Sequence, residues 1–292
     1  GDSTAAANQI RKDARQAIVE CEQMVSSLKD LSNRDQSDLV NQVSHISKLI
    51  EQELEQHTLG DIKDLTLPLD DIDASLTYGI GGKSANLGEI RNVLNIPVPN
   101  GFAITIQATV LHLLRTNGLF KQIHSILRSV DPEEPDSIKI ASKKIQELIT
   151  SAPIPQEVSE NILKRWDLTF PDPGTVCALR SSAIAEDGVQ SFACQYATSL
   201  GVQRKDVLHA FTQIVASLFS ERALSYRSTH GFRLQSSGMG VLCLEMVNAK
   251  AAGVAYSRHP LDLRSNCVLI NGVWGLGEMV VDGSATPDTW LY

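Results

Sequence analysis

A chain of 292 residues with 42% hydrophobic content is long enough for one large or two medium domains and apolar enough to bury a sizeable core. Its 26 basic and 34 acidic residues give a net charge of -8, which argues against a nucleic-acid partner, because phosphate backbones are held by net positive surfaces. The cysteines, Cys21, Cys177, Cys194, Cys243 and Cys267, are widely spaced and form no Cys-x-x-Cys pair, so neither a disulfide framework nor a zinc site is implied.

No run approaches the ~18 apolar residues of a membrane span, so the sequence predicts a protein of the cytoplasm without a membrane partner. The opening Gly1-Asp2-Ser3 carries no initiator methionine and reads as a trimmed end. From about Ala5 to Gln56, apolar residues at Ile10, Ile18, Cys21, Val25 and Leu28, then at Leu39, Val43, Ile46, Ile50 and Leu54, predict two amphipathic helices. Ser32-Asn33-Arg34-Asp35 is the turn between them. Residues 1–60 are thus expected to form a helical hairpin docked on the domain that follows; the alternative is a dimerising coiled coil and a homodimer.

A boundary is expected near residues 58–76, where Leu67-Pro68-Leu69-Asp70-Asp71 makes a connector before Gly79, Gly81 and Gly82. Val98-Pro99-Asn100-Gly101-Phe102 turns into a strand, and helical stretches fill roughly 106–166. Strands are expected at Cys177 to Arg180 and Ala197 to Val202, a helix at Asp206 to Ser220, and strands again near Val241 to Val247, Gly253 to Ser257 and Cys267 to Ile270. Helices and strands in uneven blocks predict an α+β fold with sheets faced by helices.

Two segments carry chemistry. Gly79-Ile80-Gly81-Gly82-Lys83-Ser84 is not a Walker A loop, because Thr77 stands where that pattern requires a glycine. Glycines nonetheless let a backbone approach an anion, and Lys83 beside them supplies charge to phosphate oxygens. The alternative is a surface turn ahead of a helix starting near Ser84, with a solvated lysine. Further on, Ala178-Leu179-Arg180-Ser181-Ser182 runs an apolar strand into an arginine, whose planar fork suits phosphate oxygens. An ion pair of Arg180 with Glu186 or Asp187 is the competing explanation.

Gly81-Gly82-Lys83-Ser84-Ala85-Asn86-Leu87-Gly88-Glu89, Val98-Pro99-Asn100-Gly101-Phe102, Arg180-Ser181-Ser182-Ala183-x-Ala185-Glu186-Asp187, Ser191-Phe192-Ala193, Glu221-Arg222-Ala223-x-x-Tyr226-Arg227 and Gly275-Leu276-Gly277-Glu278 occur in that order. Together they resemble the ATP-binding domain of phosphoenolpyruvate synthases, pyruvate phosphate dikinases and rifampin phosphotransferases over about residues 78–292. The resemblance implies an ATP-grasp-like, two-lobed nucleotide-binding domain, C-terminally truncated, with residues 68–246 as the first lobe and 247–292 as the start of the second. It implies that Lys83 and Arg180 hold ATP phosphates, that Thr198 lines the nucleotide site, that Met246 and Val247 form a hinge whose backbone faces adenine, and that Glu278 sits in a turn of the site.

The implied reaction converts ATP, pyruvate and water to AMP, phosphoenolpyruvate and phosphate through a phosphohistidine on another domain. Magnesium is implied as well, with ligands expected beyond Tyr292, so the chain is expected to be an inactive fragment with no metal ligands of its own. An antibiotic-phosphorylating enzyme and a non-catalytic nucleotide-sensing scaffold are the competing functions. Two departures bear on nucleotide binding: Cys194 replaces a glycine usual in the family, and Leu244 an amide. His230, without the glycine pair that marks the phosphorylated histidine, is expected to be structural; Arg258 and His259 lie in a loop either near phosphate or simply exposed.

Overall fold

The computed structural model describes residues 14, 16–25, 27–28, 37–56, 62–116, 118–131, 134–184, 196–230, 238–260, 264–281 and 283–292. It separates into two units, Gly1–Glu245 and Met246–Tyr292. Residues 16–25 are helical, and so is α1 (Ser37–Gln56). On α1, Leu39 and Val43 are half-buried and Ser47 is buried, whereas Val40, Ile46, Leu49 and Ile50 are exposed. Val19, Met24 and Leu28 of the earlier stretch are exposed too. Among the described residues, neither hydrophobic cluster of the unit takes a member from before Ile62.

The body of the first unit is a five-stranded antiparallel sheet among the described residues, built from β1 (Thr66–Pro68), β2 (Gly101–Ile104), β3 (Cys177–Ala183), β4 (Thr198–Val202) and β5 (Met239–Glu245) in the order β1-β2-β5-β3-β4. β1 was expected to be a connector. Its Pro68 cannot donate to a ladder, and the strand accordingly lies at the sheet edge. Between β1 and β2 come α2 (Thr77–Ile80) and α3 (Gly82–Asn92); between β2 and β3, α4 (Ile106–Arg115), α5 (Leu119–Arg128), α6 (Pro135–Ser151) and α7 (Gln156–Thr169); between β4 and β5, α8 (Val207–Ser217) and α9 (Glu221–His230).

Period-two alternation gives the sheet two faces with different coverings. Phe102, Ile104, Cys177, Leu179, Val241 and Cys243 point into the larger cluster, where α4 to α9 supply helical stripes such as Val158, Ile162 and Trp166 at i, i+4 and i+8. Trp166 meets Phe170 edge-on at 5.0 Å, a geometry aromatic pairs favour. α4 starts where Thr105 accepts a hydrogen bond from the N–H of Ala108 and donates to the Asp64 carbonyl, so one hydroxyl caps the helix and ties it to the approach to β1.

The opposite face carries a smaller cluster. Leu69, Ile72, Ile80, Ala85, Ala103 and Leu242 join α2 and α3 to the β1–β2–β5 half of the sheet. Polar side chains of α3 hold the loop below it: Asn92 Nδ2 donates to the carbonyls of Leu69 and Ile72, both at 2.7 Å, and Glu89 accepts from the N–H of Ala74 at 3.0 Å. Arg91 pairs with Asp70.

The second unit is a three-stranded antiparallel sheet among the described residues, β6 (Ala251–Tyr256), β7 (Leu269–Trp274) and β8 (Asp288–Leu291), with the short α10 (Glu278–Val281) following Gly275. Ile270, Trp274 and Trp290 share one face, which is exposed. No helix of the described residues is long and apolar enough to cross a membrane.

Candidate functional site

On the second face of the larger sheet, α3 packs against β3 and β5. Along β3, side chains alternate between faces: Leu179, Ser181 and Ala183 turn away from α3, while Ala178, Arg180 and Ser182 share its face. Arg180 is exposed, and its register partners are Thr198 on β4, also exposed, and Leu242 on β5, buried. Two of the residues singled out from sequence, Arg180 and Thr198, therefore stand directly opposite one another on the open part of the sheet. The ion pair considered for Arg180 would involve Glu186 or Asp187, which lie outside the described residues, as does Cys194.

β4 reaches this position through a bulge. Leu179 pairs with Ser199 and Cys177 with Val202, so Leu200 and Gly201 together oppose Ala178. Gly201 takes φ of 71°, a left-handed conformation that glycine adopts without steric cost.

Lys83 arrives from the other side. α3 begins at Gly82, two residues before the start near Ser84 considered as the alternative from sequence, so Lys83 is its second residue, and it is half-buried. The first turn of α3 holds no acidic side chain, which leaves the positive end of the helix dipole uncompensated. The N–H of Ser84 donates to Ser182 Oγ at 3.0 Å in a buried setting, joining the lysine segment to the arginine strand across 98 residues. Such a bond contributes about 1 kcal/mol, and leaving its buried donor unsatisfied costs about 1–3 kcal/mol. With Arg180 two residues from Ser182 on the same face, the backbones carrying the two cations stand on the order of 10 Å apart. Ser84 Oγ is buried and finds no hydrogen-bond partner.

The glycines do something different from what the sequence suggested. Gly81 has φ of 82° and lies against the Ser182 carbonyl, so its missing side chain makes room for protein backbone. Ser182, with no role assigned from sequence, is the residue on which both segments converge. The one available signal was an N-cap position occupied by glycine, which has no side chain to satisfy the first turn.

Leu244 is half-buried against the smaller cluster, beside Gly101 and Ala178 in register, and so adds apolar surface to the same face. Cys177 and Cys243 face the main core. Burial, and secondarily the charge of Glu245, push the Cys177 thiol up to about 12, and burial likewise raises Cys243, so neither is a nucleophile. In the second unit, Met246 is half-buried, Val247 is exposed, and Glu278 is exposed at the start of α10. Arg258 is exposed and His259 half-buried after β6. His230 closes α9. Among the described residues no three His, Cys, Asp or Glu side chains gather as a metal centre.

The fold is a mixed α/β domain with antiparallel sheets, and its helix α3, bearing Lys83, is hydrogen-bonded to the strand that carries Arg180. Residues 78–292 match the family described as "Pyruvate phosphate dikinase, AMP/ATP-binding domain", and the chain belongs to that family. It is 38% identical over 230 residues to a probable phosphoenolpyruvate synthase of Staphylothermus marinus, covering 76% of this chain and 27% of that protein. It is 38% identical over 219 residues to the phosphoenolpyruvate synthase of Helicobacter pylori, covering 72% and 27%. A rifampicin phosphotransferase of Bacillus cereus is 34% identical over 226 residues, covering 77% and 26%. The chain thus spans about a quarter of the length of these relatives.

Proposed function

We propose that Lys83, Arg180 and Thr198 hold the phosphates of ATP on the open half of the larger sheet. The Ser84–Ser182 hydrogen bond carries this reading, because it ties the two cationic segments together at the N-terminus of a helix. The uncompensated first turn and the orphaned Ser84 hydroxyl support it. Phosphoryl transfer rests on positioning and charge neutralisation, and two cations of fixed spacing supply both to a triphosphate.

The whole protein is proposed to be a phosphoenolpyruvate-synthase-type phosphotransferase of the cytoplasm, turning ATP, pyruvate and water into AMP, phosphoenolpyruvate and phosphate with magnesium. Relatives named for that activity support pyruvate as the acceptor, and the match to a rifampicin phosphotransferase keeps an antibiotic acceptor as the second reading. An ATP-grasp-like fold, with residues 68–246 and 247–292 belonging to successive lobes, rests on the family resemblance. So do the roles of Met246 and Val247 toward adenine and of Glu278 in the second unit. The exposed stripe of α1 supports a homodimer formed through residues 1–60.

Titration calorimetry of this chain with ATP, ADP and AMP tests the reading. Affinity should rise with the number of phosphates; equal affinities, or none for ATP, would contradict it. Incubation with labelled ATP, magnesium and pyruvate should leave pyruvate unphosphorylated, and labelled phosphoenolpyruvate would show that these residues suffice for the chemistry.

A further inference from the structure

Helix α3 is capped by a residue that does not belong to it. Gly81, at the N-cap position, has no side chain, and the N–H that an N-cap serine would satisfy is bound instead by Ser182 Oγ on β3. The junction has no slack. A Cβ on Gly81 would run into the Ser182 carbonyl, and one on Gly240, the register partner of Ser182 on β5, would run into the Ile80 carbonyl. Ser182 itself is fully buried. Lys83 lies between the two clasped residues, Gly81 and Ser84, and Arg180 lies two residues from Ser182 on the same face of β3.

We infer that Ser182 is a positioning residue that fixes the spacing between Lys83 and Arg180 by capping α3 from the sheet. The inference rests on the reading that these two cations hold nucleotide phosphates. Arg180 is set by the ladder of β3 with β4 and β5, so removing the Ser182 hydroxyl leaves it in place. Lys83 is set by the first turn of α3, which loses the side-chain cap that Ser182 supplies from the sheet and with it the register to Arg180. The consequence falls on phosphates bound by both cations together. It disappears when Lys83 is already gone, and threonine, which keeps the hydroxyl, preserves the cap.

The experiment is a double-mutant cycle read by calorimetry with ATP and AMP on the unmodified chain, Ser182→Ala, Ser182→Thr, Lys83→Ala and the Ser182→Ala/Lys83→Ala pair. Ser182→Ala should weaken ATP by about tenfold and AMP by less than about threefold, and should have no further effect on ATP in the Lys83→Ala background. Ser182→Thr should retain most of the affinity for ATP. Parallel loss of ATP and AMP, a loss that persists without Lys83, or a threonine variant that melts like the unmodified chain yet binds as weakly as alanine would each overturn the positioning role. If the unmodified chain shows no preference for ATP over AMP, the nucleotide reading fails and the inference falls with it. If it shows that preference and the two substitutions simply add, the inference alone fails.

Discussion

His112 is fully buried on α4, its ring tilted against Phe211 with centroids 5.9 Å apart, and neither ring nitrogen makes a hydrogen bond of ordinary geometry. Burial lowers its pKa from the usual 6.5, and the nearby backbone of Ile149 opposes the shift more weakly. A histidine held neutral in the fold and free to protonate when unfolded contributes its full stability above about pH 6.5 and loses it as the pH falls below that value, until the depressed folded pKa is passed. Urea midpoints should therefore drop between pH 8 and pH 5.5, and His112→Leu should flatten that limb whatever it does at pH 8. An unchanged slope in the variant would assign the acid sensitivity to other groups. Gly81 and Gly201 separate two costs of a side chain at positive φ. Nothing lies within 4 Å of a Cβ at Gly201, so Gly201→Ala should cost only the backbone strain of about 1 kcal/mol. Gly81→Ala adds a collision with the Ser182 carbonyl and should cost more than about 3 kcal/mol. Equal losses in denaturant titrations would mean that the α3–β3 junction can open.

At the scale of elements, α1 and the helix before it carry apolar stripes that stay out of both clusters of the unit among the described residues. Removing residues 1–61 keeps Ile62, against which Gly79 packs, and should leave the thermal midpoint within about 2 °C. A fall of about 10 °C would show that the stripes are part of the domain's stability. Sedimentation of both forms tells whether the stripe instead joins two copies. Long amphipathic or alternating segments were legible from sequence: α7, α8, β3 and β5 lie where periodicity put them, because each buries one face against a continuous core. β1 and β8 were missed, being three and four residues long, too short for alternation to register. Lys83 and Arg180 stood out through motif chemistry, and Thr198 through the family resemblance. Ser182 did not, because a hydroxyl that caps a helix from another segment leaves no local signature. Gly81 was visible, but its approach to the Ser182 carbonyl was not, since a missing Cβ serves a backbone as readily as an anion.

For the whole molecule, the decisive feature is that segments 98 residues apart meet on one face of one sheet, with two cations and a helix N-terminus at the meeting point. The main core fixes β3 and β5 from below, the smaller cluster fixes α3 from above, and the exposed Arg180 and Thr198 stand opposite one another where the proposed ligand binds. A large core of this kind tolerates surface substitutions, so exchanging an exposed arginine or a half-buried lysine should alter binding more than folding. The most direct measurement is ATP affinity in Lys83→Ala and Arg180→Ala, with thermal melts confirming that both variants fold. Each should bind ATP at least about tenfold more weakly than the unmodified chain while AMP affinity changes far less, since charge-assisted contacts to phosphate are worth about 1.5–3 kcal/mol. ATP affinity unchanged in either folded variant would contradict the assignment of the site.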